Sequence, residues 1–367
     1  MLPRLRRRLF KYTSFIKPLI ILIVVILVLS FLVRLLSPIF QFAQKNNFSP
    51  NFVYSLIFND NSYLKSTSGR TNILILGIGG GTHEGPDLTD SMIFLSIDFK
   101  NNDAVMVSLP RDIWSPTLKD KINSAYAYGE AKKKGGGLIL SKSVVEEVVG
   151  QPVHYAWLID FSGFKKLIDL VGGLDIGVDK SFDDYKYPIE GKENDDCGGI
   201  DPDFKCRYEH LHFDSGLQHM EGERALKYVR SRFAEGVEGT DFARSQRQQK
   251  VILALKDKIL HHSKFTDLNY DKALFKAFDD ATDTDMNWSE TLLFGKFFLR
   301  IKQDKIIRPI IDSSDEQTGK KGFLINPPTW QYNGVWVLIP RKGENDFSEI
   351  VSYIKCFLVD PKCSMTP

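Results

Sequence analysis

Several arginines between residues 225 and 249 have the clearest chemical potential in the chain. ALKYVRSR (225–232) is followed by TDFARSQRQQ (240–249), and on a helix Asp241, Arg244 and Gln248 share one face while Arg247 lies to one side. Guanidinium groups match phosphate oxygens two at a time, so the pattern predicts a phosphate-binding site. A solvated helix face and a nucleic-acid patch are the alternatives. The candidate ligands are Arg230, Arg232, Arg244, Arg247 and Gln248.

Two further candidate groups follow predicted strands, where open α/β sheets place their ligands. SLPRD (108–112) presents Arg111 beside Asp112. LGIGGGTHEGPDLTDSM (76–92) is rich in glycine and acid, but it leads into neither a helix nor a Walker lysine, so a dinucleotide or P-loop site is not supported. Carboxylates beside a glycine turn suit a divalent cation that also holds phosphate, with a solvated turn as the alternative. The candidate metal ligands are Asp90 and Asp87.

The elements that must position these residues alternate between strands and helices. Short apolar runs predict strands at 72–77, 91–98, 104–110 and 153–160. Helices are expected near 121–134, 138–149, 161–171, 220–231, 242–262, 265–280, 288–302 and 346–357, and 161–178 looks like one apolar helical segment. Two more apolar runs occupy 306–311 and 335–340. The alternation predicts a three-layer α/β/α sandwich with a central mixed sheet.

The N-terminus indicates a membrane anchor. Residues 1–18 form a basic tail without acids. The apolar run that follows, residues 19–36, is long enough to form one transmembrane helix. A cleaved signal peptide and a buried helix are the alternatives, but the run lacks both a small-residue cleavage site and a polar face. The positive-inside rule places residues 1–18 in the cytoplasm and the rest outside the cell membrane, with 37–70 as a juxtamembrane stalk.

Composition and cysteine usage agree with an outside location. The chain has 367 residues, 43% of them hydrophobic and 26% charged, which excludes a miniprotein and a disordered chain. Its net charge is +2, but outside the basic tail acids exceed bases, so no nucleic-acid partner is expected. Cys197–Cys206 and Cys356–Cys363 are the simplest disulfide pairs, and zinc is the alternative.

An ordered set of motifs between about Thr71 and Leu260 resembles the LytR-CpsA-Psr family. The motifs are NILILG, LTDSM, SLPRD, KINSAYAYG, DLVGGL, GERALKYVRSR and DFARSQRQQKVI. The resemblance implies an extracytoplasmic catalytic domain, here 71–304, followed by a C-terminal extension or small lobe at 305–367. It implies transfer of a glycopolymer phosphate from a polyprenyl-pyrophosphate carrier to a wall acceptor such as peptidoglycan, assisted by Mg²⁺ or Mn²⁺. The glycopolymer would be a teichoic acid or capsule.

The resemblance also assigns roles. Asp90 matches the metal-side aspartate and Arg111 matches the arginine of the PRD motif, while Arg230, Arg232, Arg244 and Gln248 match the pyrophosphate-binding residues, with Asp241 beside them. In the mechanism that we expect, Asp112 or Asp241 orients an arginine or accepts the proton. The expected pyrophosphate ligands are Arg111, Lys121, Arg230, Arg232, Arg244, Arg247 and Gln248. Gly79 stands where family members commonly carry a first aspartate, so either His83, Glu84 or Asp87 replaces it or the metal is held more weakly. A non-catalytic, polyprenyl-phosphate-binding regulatory protein and an extracellular pyrophosphatase are therefore the alternative functions.

Overall fold

The computed structural model describes residues 49–58, 60–81, 85–199, 201–261, 276–314 and 321–366, with Ser30, Arg34, Ser37 and Gly319. The chain divides into two compact units, Met1–Tyr63 and Leu64–Pro367. The first contains helix α1 (Pro50–Phe58). In these described ranges no helix is long and apolar enough to cross a bilayer. The helix expected at 19–36 lies, apart from Ser30 and Arg34, outside the described residues.

A six-stranded mixed sheet forms the centre of the second unit as described. Its strand order is β11-β6-β1-β2-β3-β12, with β6 parallel to β1, β12 parallel to β3, and β2 antiparallel to both of its neighbours. The long central strands are apolar and β-branched because both of their faces are covered. The strands are β1 (Arg70–Ile78), β2 (Thr89–Asp98), β3 (Asp103–Ser108), β6 (Tyr155–Asp160), β11 (Thr282–Thr284) and β12 (Ile306–Ile307).

Helices cover both faces of this sheet. They are α2 (Ala125–Lys132), α3 (Gly136–Val149), α4 (Phe161–Leu170), α5 (Gly222–Arg230), α6 (Asp241–His261), α7 (Trp288–Arg300) and α8 (Ser348–Val359). Leu74 and Val107 pack with residues of α3 and α8 in one core. On the other face Gln249 of α6 donates to the Ser108 hydroxyl at 2.9 Å. The predicted mixed α/β fold with a central mixed sheet is confirmed.

Two small antiparallel pairs lie beside the main sheet and correct one expectation. They are β7 (Leu174–Val178) with β10 (Gly216–Met220), and β8 (Phe182–Pro188) with β9 (Tyr208–Phe213). The segment 161–178 is therefore not one helix. Its helix stops at Leu170 because Gly172 and Gly173 take positive φ angles of 78° and 76°, and the chain restarts as β7.

The C-terminal residues extend the same domain. They contribute β13 (Leu324–Ile325), β14 (Ile339–Pro340) and helix α8, whose Ile350 and Ile354 are buried in the core with sheet residues. Both expected disulfides are present, Cys197–Cys206 and Cys356–Cys363. Within the apolar runs 306–311 and 335–340, only β12 and β14 are strands. Most of the helix expected over 265–280 lies outside the described residues.

Candidate functional site

One edge of the central sheet gathers the predicted functional residues. The parallel strands β1 and β6 end there, with Ile78 opposite Asp160, and so does β3, which runs in the same direction as β1. The antiparallel β2 starts at this edge, so Asp90 lies opposite the end of β1. Arg111 follows β3 by three residues. The carboxyl ends of strands thus bring together side chains that are distant in sequence.

Arg111 is held between two carboxylates. Its Nη1 donates to Asp90 Oδ1, and its Nε lies 3.5 Å from Asp112 Oδ2. Asp112 is 5% exposed and also accepts from Lys121 Nζ at 2.8 Å, an arrangement built on the short antiparallel pair β4 (Trp114–Ser115) and β5 (Asp120–Lys121). Burial disfavours the charged guanidinium, but Asp90 and Asp112 outweigh it and raise the pKa of Arg111. Arg111 therefore stays charged.

A second ion group stands at the start of α6. Asp241 is the first residue of the helix, and its Oδ1 lies 3.2 Å from Arg244 Nη2 and 3.9 Å from Arg232 Nη2. Arg244 is 7% exposed, and this burial lowers its pKa to about 10 against the opposing charge of Asp241. A buried guanidinium with one carboxylate partner favours a further anion nearby.

The two groups act on each other and form one arginine cluster. The charges of Arg111 and Asp90 contribute to the pKa of Arg244, and Asp241 contributes to that of Arg111. Among the described residues, the buried Nε atoms of Arg111 and Arg244 make no hydrogen bond. A ligand with several anionic oxygens would complete this arrangement. The arginine cluster comprises Arg111, Lys121, Arg232, Arg244, Asp90, Asp112 and Asp241.

Arg230 lies in an adjoining cavity of about 480 Å³ rather than in the arginine cluster. Its guanidinium stacks over Phe161 at 4.3 Å and over Tyr187 at 5.4 Å, and it donates to the Tyr187 hydroxyl at 3.1 Å. Gly79–Gly81 also line this cavity. Gly80 has φ +65°, and a Cβ there would stand 3.0 Å from Cβ of Asp160, so the bare backbone turn brings β1 and β6 close together.

The comparisons with known proteins agree with this geometry. The sequence model of the LytR_cpsA_psr family matches residues 42–329, which is most of the chain. This chain belongs to the LytR-CpsA-Psr family.

Named members of the LytR-CpsA-Psr family resemble the chain at moderate identity. The polyisoprenyl-teichoic acid–peptidoglycan teichoic acid transferase TagU of Bacillus cereus is 32% identical over 198 residues, covering 53% of this chain and 54% of that protein. The corresponding transferase TagV of Bacillus subtilis is 29% identical over 255 residues, covering 68% and 58%. The chain therefore spans little more than half the length of these curated relatives.

Solved structures of the LytR-CpsA-Psr family share the fold. The crystal structure of B. subtilis TagV matches with a TM-score of 0.54 at 24% identity, covering 82% of this chain and 100% of that one. The structure of TagT bound to LI-WTA matches with a TM-score of 0.52 at 20% identity, covering 79% and 92%. At these identities the likeness establishes the fold alone.

Arg247 does not have the phosphate-binding role that the sequence pattern predicts. It is 2% exposed, and its guanidinium donates to the backbone carbonyls of Tyr228, Ser231 and Glu238 and to the Glu238 carboxylate. Its donors are thus used to hold the 228–238 segment, which carries Arg232, rather than to bind a ligand. Gln248 is half-buried on the same helix face as Arg244, one turn further along.

Sequence reasoning missed Asp184, which positions the loop of residues 231–233 that carries Arg232. Asp184 is fully buried on β8, and its Oδ2 accepts from the Ser231 hydroxyl at 2.6 Å and from the backbone N–H groups of Arg232 and Phe233 at 3.2 Å. Two adjacent aspartates within FDDYKYP give no signal that one of them has a partner 47 residues away. The one available signal is that Asp184 stands two residues after Phe182, because alternate residues of a strand share a face and both are buried on β8.

The described residues do not make a preformed divalent-cation site in the arginine cluster. Asp90, Asp112 and Asp241 each already contact an arginine or lysine. Asp87 is exposed, and its charge acts on Tyr126 rather than on the arginines. Within these same residues the one potential ligand group unites Asp195 with Cys197 and Cys206, whose sulfurs form a disulfide. His83 and Glu84 lie outside the described residues.

Proposed function

We propose that the chain is a phosphotransferase at the outer face of the cell membrane and that residues 19–36 anchor it there. It transfers a glycopolymer phosphate from a polyprenyl-pyrophosphate carrier to a cell-wall acceptor such as peptidoglycan. The observation that carries the proposal is the arginine cluster, in which the half-buried Arg111 and the buried Arg244 come from two different elements and neither Nε makes a hydrogen bond to a described residue. Family membership and the printed names of TagU and TagV, which are teichoic acid transferases, support it further.

The reaction requires only that negative charge be stabilised and the reactants be aligned. The oxygen of an acceptor hydroxyl attacks the glycan-side phosphorus, and a new P–O bond forms. The bond from that phosphorus to the bridging oxygen breaks, and polyprenyl phosphate leaves with the bond's electron pair. Arg111, Arg232 and Arg244 stabilise the charge that spreads over the phosphoryl oxygens. No step is assigned to a divalent ion, because the described carboxylates are already paired with cations.

The two candidate aspartates have different surroundings, which separates their roles. Asp112 is buried between Lys121 and Arg111, so it orients these two cations. The Asp241 side chain is 41% exposed, so it is the carboxylate that an acceptor hydroxyl can approach. We assign Asp241 as the group that accepts the hydroxyl proton.

The test uses the full chain in detergent micelles with a polyprenyl-pyrophosphate-linked glycan and peptidoglycan fragments, with Mg²⁺, Mn²⁺ or a chelator. Mass spectrometry follows the products. We expect glycan phosphate joined to peptidoglycan, and we expect Arg111→Ala to lower turnover by about 100-fold or more, since preorganised charge stabilisation is usually the largest single contribution to such reactions.

The matched control is Arg341→Ala, because Arg341 pairs with Glu349 outside the arginine cluster. Its turnover should equal that of the unaltered chain. Unchanged turnover in Arg111→Ala would refute the assigned role of Arg111. Carrier binding without any product would support the regulatory alternative, and release of glycan phosphate to water alone would identify a pyrophosphatase.

A further inference from the structure

An uncharged aromatic turn stands in the C-terminal part of the domain. Residues 325–337 read INPPTWQYNGVWV and contain no Asp, Glu, Lys, Arg or His, although a quarter of the chain is charged. We call residues 325–337 the aromatic turn. Most of it lies beyond position 329, where the match to the family ends. None of the catalytic steps assigned above uses it.

The aromatic turn is held in one conformation by its own backbone. A short 3₁₀ helix, Thr329–Tyr332, is closed by hydrogen bonds from Gly334 N–H to Thr329 C=O at 2.8 Å and from Val335 N–H to Tyr332 C=O at 2.9 Å. The Asn326 side chain donates to Val337 C=O at 2.7 Å. A turn fixed in this way presents its side chains at little entropic cost on binding.

Two indoles of the aromatic turn face solvent. Trp330 is 77% exposed and Trp336 is 44% exposed, whereas Tyr332 between them is 8% exposed. Large aromatic rings contribute strongly to binding when they are covered, and exposed ones on a rigid turn mark an interaction surface. The polar side chains beside them, Gln331 and Asn333, are uncharged amides that both donate and accept hydrogen bonds.

The buried side of the aromatic turn contacts the loop that carries Arg111. The Tyr332 ring packs edge-on against Trp114 with a centroid separation of 4.8 Å. Just after the turn, Leu338 N–H donates to Asp112 C=O at 2.9 Å, and Trp114 N–H donates to Leu338 C=O at 2.8 Å. The exposed indoles are therefore attached to the segment that positions the arginine cluster.

We propose that the aromatic turn binds the neutral glycan strand of the acceptor, with Trp330 and Trp336 stacking on sugar faces and the neighbouring amides bonding to hydroxyl and acetamido groups. This inference rests on the proposed transferase function, because that function makes a wall glycan the acceptor, and the glycan strand extends beyond the reacting hydroxyl. The absence of charged side chains from the turn favours a neutral glycan over an anionic lipid surface. An anionic leaflet attracts Lys and Arg, whereas the turn has neither and its Tyr332 hydroxyl lies 3.4 Å from the Glu344 carboxylate.

The test measures binding without any donor substrate. The full chain in detergent micelles is titrated with a hexamer of β-1,4-linked N-acetylglucosamine and with purified peptidoglycan glycan strands, and indole fluorescence or calorimetry gives the affinity. We expect Trp330→Ala and Trp336→Ala each to weaken binding by about tenfold, since covering and stacking one large ring contributes roughly that factor. The matched control is Leu217→Ala, which removes an equally exposed apolar side chain from β10.

The results distinguish a glycan from a lipid surface as the ligand of the aromatic turn. Weaker glycan binding in both tryptophan variants, with the Leu217 variant unchanged, supports the proposal whether or not transfer activity is found. Equal affinity in all variants overturns it. The same variants are tested on vesicles of phosphatidylglycerol and phosphatidylcholine, using the chain in nanodiscs, and a loss confined to vesicle association would assign the turn to a lipid surface and overturn the proposal.

Discussion

Arg244 and Arg247 lie three residues apart on helix α6 and have different roles. Arg244 faces the arginine cluster with a single carboxylate partner at 3.2 Å. Arg247 points into the protein, where backbone carbonyls surround its guanidinium and the rings of Phe182 and Tyr228 lie against it at 5.0 and 5.8 Å. Burial lowers the pKa of both side chains, but only Arg244 leaves its Nε without a hydrogen bond to a described residue.

We expect Arg247→Met to lower the free energy of unfolding by about 3 kcal/mol, because several buried carbonyls lose their donor at once while the apolar stem is kept. Arg244→Met should reduce turnover strongly and change stability much less. Chemical denaturation of the full chain in micelles, followed by circular dichroism, measures both variants. An equal loss of stability in the two would contradict the separation of their roles.

The sequence could predict residue types at this site better than their orientations. Arg111 and Asp90 were predictable because they stand at strand ends, where a sheet fixes which side chains meet. Helical periodicity places Arg244 and Arg247 about 60° apart around α6, which brings both near one face, so spacing could not decide which of them points into the interior. Asp184 was unpredictable because its partners lie in a loop that only tertiary folding brings to β8.

Among the elements, the loop from Arg111 to Trp114 depends on a C-terminal segment, residues 332–344, which we call the C-terminal strap. Trp114 donates its indole N–H to Glu344 Oε1 at 2.7 Å and packs on Tyr332, while Leu338 pairs with the backbone on either side of Ile113. These contacts fix the backbone next to Arg111, where a displacement of about 1 Å costs on the order of 100-fold in rate. Trp114 is thus a positioning residue.

We expect Trp114→Ala to lower kcat by about tenfold while KM for the polyprenyl carrier changes by less than about twofold, because the binding arginines remain but Arg111 is less precisely held. Steady-state kinetics on the full chain measures the split. Trp114→Phe keeps the ring contact with Tyr332 and should recover part of kcat. A rise in KM with unchanged kcat would instead show that Trp114 contributes to substrate binding.

The elements that the sequence misjudged share a physical cause. The short pairs β7–β10 and β8–β9 are half exposed, so their apolar residues are few. Strand β7 also follows a helix without a clear change of composition. The strap near Leu338 is also short, and its pairing with residues 112–114 spans more than two hundred positions. Long central strands, in contrast, were predictable because burial on both faces requires continuous apolar runs.

At the scale of the whole molecule, the C-terminus completes the core instead of forming a separate lobe. Phe323, Leu338 and Tyr353 are buried in one cluster with Leu74 of β1 and Val148 of α3. The Arg70 guanidinium, at the start of β1, donates to Leu358 C=O at 3.3 Å. Removal of the C-terminal extension would therefore expose the core as well as the loop from Arg111 to Trp114.

Overall stability should depend on pH through His154. This half-buried side chain accepts the Asn72 N–H at Nδ1 at 2.9 Å, which requires an unprotonated nitrogen, and its Nε2 lies 2.9 Å from the Thr67 hydroxyl. Burial lowers the pKa of His154, Lys65 and Lys142 act in the same direction, and Glu146 opposes them. The unfolded chain therefore binds a proton at His154 more readily than the folded chain.

It follows that the contribution of His154 is present above its unfolded pKa of about 6.5 and is lost as the pH falls below it, with a slope of at most about 1.4 kcal/mol per pH unit. Denaturation between pH 7.5 and 5.5 should show this loss, and His154→Gln should flatten it. His212 provides the opposite control, because Asp183 and Asp214 raise its pKa and stabilise the folded chain at low pH. His212→Gln should therefore leave the acid loss intact or steepen it. If His154→Gln loses stability with the same slope as the unaltered chain, another group dominates the acid sensitivity.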